Sequence, residues 1–329
     1  MSRPRSSTLA GSAAVLAALL AAAVTGCSGS STSPTANQPA LTVASTPSAT
    51  APATPTDTPF AAAPPLAENP NWANQLENFG AAKFSTPTRV DNRWYPLAAG
   101  TQFVYEGFTE DKGVRKPHRF VQTVTDLTKP IMGVDTVVVW DQDFSDGALA
   151  EAEIAFNAQS DAGDVWRLGE YPQVYEDGEI VETPTWIAGI AGAQAGITIH
   201  RDPVLGGPSW SQGWSPVVPW TDRARVAQVG VQECVRFGCY RNGIVTEEFN
   251  REEPGAVQLK YYAPGIGNTR VSFTGTDQTK ETLELVSVTT LDAAGLTQAR
   301  EAALALDRSG FQRSRAVYAL TMPARQRSA

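Results

Sequence analysis

Pairs of an acidic or amide residue with glycine punctuate this chain at short intervals: Ser145-Asp146-Gly147, Glu176-Asp177-Gly178 and Arg241-Asn242-Gly243, with Asp161-Ala162-Gly163 between them. The tightest hairpin turns need positive φ at both central residues, which glycine adopts freely and Asp or Asn tolerates. Each pair therefore marks a reversal between antiparallel strands. The segments between them have strand character. Val121, Thr123 and Thr125 alternate with Gln122 and Val124, and Val134 to Trp140 is rich in branched and aromatic residues. Ten or eleven strands from Thr101 to Leu291 predict a mainly β domain, an antiparallel meander. Closing it into a barrel-like or strongly curved sheet would remove exposed edges.

Composition narrows the chemistry. The 329 residues carry a formal charge of −8, which becomes −10 once residues 1–26, with their two arginines, are removed. Such a surface repels nucleic-acid phosphates, so nucleic acid is excluded as a partner. With 42% apolar and 18% charged residues the chain can bury a core. Only two histidines (His118, His200) and three cysteines are present, too few nitrogen and sulfur donors for most zinc, copper or non-haem iron sites. No cofactor and no metal are expected.

The N-terminus addresses the protein. Arg3 and Arg5 precede an uncharged apolar run from Leu9 to Val24, too short to span a bilayer and built like an export signal. The run ends in Val24-Thr25-Gly26-Cys27, which resembles the lipobox of bacterial lipoproteins. That resemblance implies cleavage before Cys27, a diacylglyceryl group with palmitate-type chains on its thiol, and residence on the extracytoplasmic face of the cell membrane. Ordinary cleavage after Ala23 is the alternative. Two or more acyl chains make a stable anchor. Residues 28–66 are Ser, Thr, Pro and Ala with one charge, Asp57, and read as a disordered linker after the lipidated cysteine. The predicted β domain covers 67–290, and 291–329 hold a C-terminal helix and a basic tail. Asn69 to Trp72 opens a short helix toward Phe79. Thr297 to Asp307 is made of strong helix formers with Gly310 near its end, and the arginines beyond it are expected to fray.

In an oxidising compartment Cys234 and Cys239, four residues apart with a glycine between, are expected to form a local disulfide across a hairpin. A redox pair and two free thiols are the alternatives. Redox motifs usually have two intervening residues at a helix start, whereas these flanks look like strands.

Several blocks resemble a family of uncharacterised exported bacterial proteins. Asp91-Asn92-Arg93-Trp94-Tyr95-Pro96-Leu97 leading to Gly100-Thr101 is similar to that family's opening. Asp161 to Glu170, Tyr175 to Gly178 and Lys260-Tyr261-Tyr262-Ala263-Pro264-Gly265-Ile266-Gly267 follow in the same order. The resemblance spans Asp91 to Ser287 and implies no activity. Tyr95, Phe103 and Tyr105 read as core positions, and Asp161 and Asp164 as acids capping their own turn.

Catalytic signatures are weak, and no catalytic residue is assigned. Asp141, Asp143, Asp146 and Gly147 have part of the spacing of a calcium loop, but the third acid and the glycine each come one residue late and position twelve is Ala152, so a hairpin is favoured. Ser209 lacks a nucleophile elbow. His118 and His200 stand alone. Glu247, Glu248, Glu252 and Glu253 contain possible glycosidase pairs. Gly265 and Gly267 are too few for a dinucleotide loop. Trp186, Trp210, Trp214 and Trp220 crowd a Gly/Pro-rich excursion and are the candidate ligand-binding residues; the alternative is that they pin the excursion to the domain. The expected function is non-catalytic binding or carriage of an apolar or glycan ligand. The alternatives are a cell-wall glycan hydrolase with paired carboxylates and a structural scaffold of the envelope.

Overall fold

Two runs of consecutive hairpins make the sheet. The first comprises β1 (Thr101–Asp111), β2 (Val114–Ile131), β3 (Val134–Ser145), β4 (Ala148–Gln159) and β5 (Val165–Glu176), with β6 (Glu179–Glu182), β7 (Trp186–Ile187) and β8 (Gln194–Ile199) paired to β5. Next come two short strands, β9 (Trp210–Ser211) and β10 (Gly213–Trp214). The second run is β11 (Arg223–Val235), β12 (Gly238–Phe249), β13 (Ala256–Ala263), β14 (Gly267–Gly275) and β15 (Thr282–Thr290). Helix α1 (Ala293–Arg313) and β16 (Arg325–Gln326) end the chain. This computed structural model describes residues 75–327. Cys27, the signal segment and the linker lie outside the described residues.

Two connections join the runs. The first is an antiparallel ladder between β1 and β15, from Thr101 opposite Thr290 to Phe108 opposite Thr282. The second is the segment Trp210–Trp214: β9 bonds to β11 and β10 to β8, with Gln212 between them. The sixteen-stranded sheet is thus antiparallel, curved and open. Its outermost long strands are linked by that short crossing segment and not by a ladder, so it is not a closed barrel. Gly196 permits the crossing, since a Cβ there would fall 2.1 Å from Gly213 N.

Period-two alternation divides the side chains between two faces. Val138, Ile154, Phe156, Leu168 and Tyr171 pack outward under Ala303, Leu306, Val317 and Tyr318 of the C-terminal region. Val137, Val139, Phe103, Tyr105, Tyr262 and Leu285 point inward with Val90, Trp94, Tyr95 and Leu97 of the N-terminal segment. Because both faces are covered, Ala152 to Ala158 is buried at every position.

Some local expectations change. Asp146-Gly147 (φ 50° and 82°) turns β3 into β4 as read, but Lys112-Gly113 and Met132-Gly133 adopt the same turn without an Asp or Asn signal. Asn242-Gly243 lies inside β12 at a register shift opposite β11, and the reversal is at Arg236-Phe237, between paired Val235 and Gly238. Cys234 and Cys239 face each other across this hairpin and are bonded, Cα to Cα 4.0 Å. Asp161 and Asp164 reach other segments: Asp161 accepts from Ser85 N and Asp164 from Arg201 N. The helix is longer than expected, starting at the Asp292 cap, whose carboxylate accepts from Gly295 N at 2.8 Å. The basic tail does not fray through Arg327. β1 begins opposite Thr123 and leaves the edge of β2 beyond it free, where Arg325 and Gln326 pair with Thr128 and Leu127. Arg327 donates to Thr125 O.

Candidate functional site

The inner face of the sheet is polar as well as aromatic. β3 turns Asp141 inward, opposite Glu153 on β4, so that the two carboxyls share one face. Gln122 on β2 donates to Asp141 Oδ2 at 3.5 Å. Arg167 on β5 is ion-paired with Glu170, and its Nε donates to Asn157 at 3.2 Å. Across the interior, Glu248 on β12 accepts from Lys260 Nζ at 2.6 Å and from Gln212 Nε2 at 3.1 Å. Between these walls lies a cavity of ≈ 80 Å³, completed by Thr198, Asp222 and Asn268 and by the rings of Tyr95, Tyr105, Phe120, Trp220 and Tyr262.

Burial sets the protonation of the lining. It pushes Asp141 up to about 7 and, with the field of Glu248, Asp222 up to about 8. Burial and then the neighbouring Glu170 and Glu151 hold Glu153 well above the carboxylate range. Burial opposes the charge on Lys260, yet the adjacent Glu248 carries it above the usual lysine value. Arg167 and Lys260 are each engaged by a carboxylate. Asp141, Glu153 and Asp222 have no ion-pair partner among the described residues.

Five buried polar atoms on residues lining this cavity have no hydrogen-bond partner among the described residues: Asp141 Oδ1, Glu153 Oε2, Asn268 Oδ1, Thr198 Oγ1 and Trp220 Nε1. Each such atom costs roughly 1–3 kcal/mol when left unpaired, so native proteins hold few of them. All five belong to residues that line the cavity.

A second inward cluster holds His118. Its Nε2 lies 2.6 Å from Asp143 Oδ2 and its Nδ1 3.2 Å from Glu281 Oε1, with all three side chains at most 3% exposed. Burial works against the imidazolium, but the bond to Asp143 and the field of Glu281 carry the His118 pKa above its ordinary value. Burial lifts Glu281 to about 7. Among the described residues these three form the group whose donor atoms lie close enough for a metal ion, within 4.8 Å of one another. Each ring nitrogen already faces a carboxylate, so as placed the cluster is an imidazole clamped between two acids.

The four candidate tryptophans separate. Trp220 lines the cavity, and Trp186 stacks behind it at 5.5 Å while donating to Glu170 at 3.3 Å. Trp210 is 5% exposed, donates to Ile197 O at 2.9 Å and packs edge-on to His200. Trp214 is half-buried on β10. Of the four glutamates, Glu248 alone lines the cavity; Glu247 pairs with Arg225, Glu252 with Arg251. His200 bonds Asp164, and Ser209 accepts from Arg223. Glu153, Arg167, Asp222 and Lys260 were not distinguished as a site by sequence, and Asp141 only as part of a partial calcium loop. Their signal, acids two apart in Asp141/Asp143 and Glu151/Glu153, has the same form as the solvent side of a strand.

No family model and no curated protein matches the sequence. Among solved structures, a protein from Bacteroides fragilis NCTC 9343 assigned as exported, with a YmcC-like fold, shares 11% identity over 60% of this chain and 99% of its own, at a TM-score of 0.32. One from Parabacteroides distasonis ATCC 8503 assigned as a lipoprotein shares 9% identity over 59% of this chain and 97% of its own, also at 0.32. Likenesses of this size say nothing of what this chain binds.

Proposed function

We propose that the chain is a lipid-anchored cell-envelope protein whose β domain binds a polar group of an extracytoplasmic ligand in its interior cavity without turning it over. The observation that carries this reading is the set of five partnerless polar atoms around one aromatic-walled cavity. Size and polarity argue against carriage of a long apolar molecule. An apolar cavity of about 150 Å³ accommodates benzene; one of ≈ 80 Å³ lined by carboxyls takes a few heavy atoms that hydrogen-bond. Aromatic faces beside hydroxyl and carboxyl groups suit an edge or substituent of a glycan better than an acyl chain.

Native mass spectrometry of the full chain extracted from envelopes tests the binding. An adduct present in the wild type and absent from Asp141→Asn supports it, and a bare chain in both counts against it. The Val24–Cys27 motif supports the anchor, which is tested separately. Cys27→Ala must leave the detergent-soluble membrane fraction; retention there removes the lipidation reading.

The facing inward carboxyls of Asp141 and Glu153 favour a second reading, acid–base hydrolysis of a wall glycan. It requires new reducing ends from purified wall polymer, lost in Glu153→Gln. No release by the wild type eliminates it.

A further inference from the structure

We infer that the group taken into the interior cavity is an organic ammonium, carried next to a hydroxyl or ether oxygen as in an amino alcohol or amino sugar. This rests on the binding reading above and names the chemistry of the same site.

Charge complementarity is the first ground. Arg167 is ion-paired with Glu170 and Lys260 with Glu248, whereas Asp141, Glu153 and Asp222 line the cavity with no ion pair of their own among the described residues. An anionic ligand meets three acids and no free cation. A neutral one leaves all three to be held as protonated carboxyls, with no gain from their charge. A cation supplies what the lining lacks, and buried charge is tolerated when paired and hydrogen-bonded.

Hydrogen-bond valence is the second. Three of the partnerless atoms are acceptors or become so on ionisation: Asp141 Oδ1, Glu153 Oε2 and Asn268 Oδ1. A primary ammonium has three N–H donors and no acceptor. The indole Nε1–H of Trp220 and the hydroxyl of Thr198 remain, and each can donate to an oxygen. An oxygen beside the ammonium uses these two.

Walls and size agree. Tyr95, Tyr105, Phe120, Trp220 and Tyr262 line the cavity, and the faces of such rings attract a desolvated cation. A volume of ≈ 80 Å³ suits an ammonium with its neighbouring carbons and oxygen, not a whole disaccharide.

Isothermal titration of the full chain in detergent provides the test, with ethanolamine and glucosamine as charged probes and ethylene glycol and glucose as their neutral counterparts. The expected result is at least tenfold tighter binding of each amine than of its counterpart. Proton release should accompany binding, seen as a heat that varies with buffer ionisation enthalpy, because the lining acids ionise as the cation enters. Asp141→Asn and Asp222→Asn should each weaken the amines at least tenfold. Their melting temperatures should be unchanged or higher, since a neutral amide replaces a buried acid, which separates lost binding from lost folding. Equal binding of amines and neutral probes without proton release overturns the ammonium and leaves the cavity reading standing. No binding by either class overturns both.

Discussion

Lys129 Nζ lies 2.9 Å from Asp307 Oδ1, joining the middle of the sheet to the C-terminal helix in a place where neither head group reaches solvent. Met322 O at 2.6 Å accepts a second bond from the same ammonium, and the Tyr318 hydroxyl donates to the same carboxylate. Tyr318, Phe311 and Phe156 surround the cation. Removing one partner of a buried pair strands the other, at a cost of about 3–5 kcal/mol. Asp307→Ala should show that loss in chemical denaturation. The double variant Lys129→Met/Asp307→Leu should recover much of it, because no charge is left buried.

Stability should fall as pH rises. Asp141 and Glu281 move from ordinary values of 3.8 and 4.5 to about 7, and Asp222 from 3.8 to about 8. A carboxyl raised in the folded state holds its proton there more tightly than in the unfolded chain. Its contribution is therefore complete below about pH 4 and is lost as pH climbs through 7 to 8. His118, also raised, adds the same sign, being lost above its folded pKa. Asp126 and Asp164, lowered despite burial by hydrogen bonds from Arg300 and from His200, act oppositely and lose their contribution in stronger acid. Thermal melts from pH 3 to 9 should peak near pH 4–5 and decline toward pH 8. A curve that rises from pH 5 to 8 contradicts the burial of these acids.

The clamp on His118 is directly measurable. NMR titration should find its imidazole still protonated above pH 6.5, and Asp143→Asn should lower that midpoint by removing the carboxylate 2.6 Å from Nε2. The same midpoint in both proteins would show that Asp143 does not hold the proton.

Gly107 tests the ladder between the two hairpin runs. A Cβ at that position would meet Thr282 O at 1.7 Å, a backbone atom of β15 that moves only if the ladder opens. Gly107→Ala should cost at least the roughly 1–3 kcal/mol typical of overpacking, read from denaturant midpoints. A variant as stable as the wild type would mean the β1/β15 contact is looser than described.

Much of the architecture was legible because turns and strand periodicity are local. Asp146-Gly147 and the run from Val134 to Trp140 specify a hairpin and a strand without reference to anything distant. The Lys112-Gly113 turn escaped notice because its first positive-φ residue is a lysine, and Asn242-Gly243 misled because Asn242 alone takes a positive φ (57°), at a register shift inside β12 and not at a reversal. The site was harder to read. Asp141 and Glu153 look like outward acids until the curvature of the sheet puts their face inside. Nothing near residue 141 in sequence announces that Asp222 and Glu248 will stand across from it. The Arg325–Gln326 pairing was hidden for a similar reason, since it depends on where β1 starts.

The β1/β15 ladder joins residues almost the whole domain apart, Thr101 to Thr290. A chain delivered N-terminus first presents β1 to β5 long before β15, so one flank of β1 waits with its amides and carbonyls unmatched. Such an edge is a template for any passing strand. Crowded copies are thus exposed to mispairing with one another for as long as the second hairpin run is unfinished.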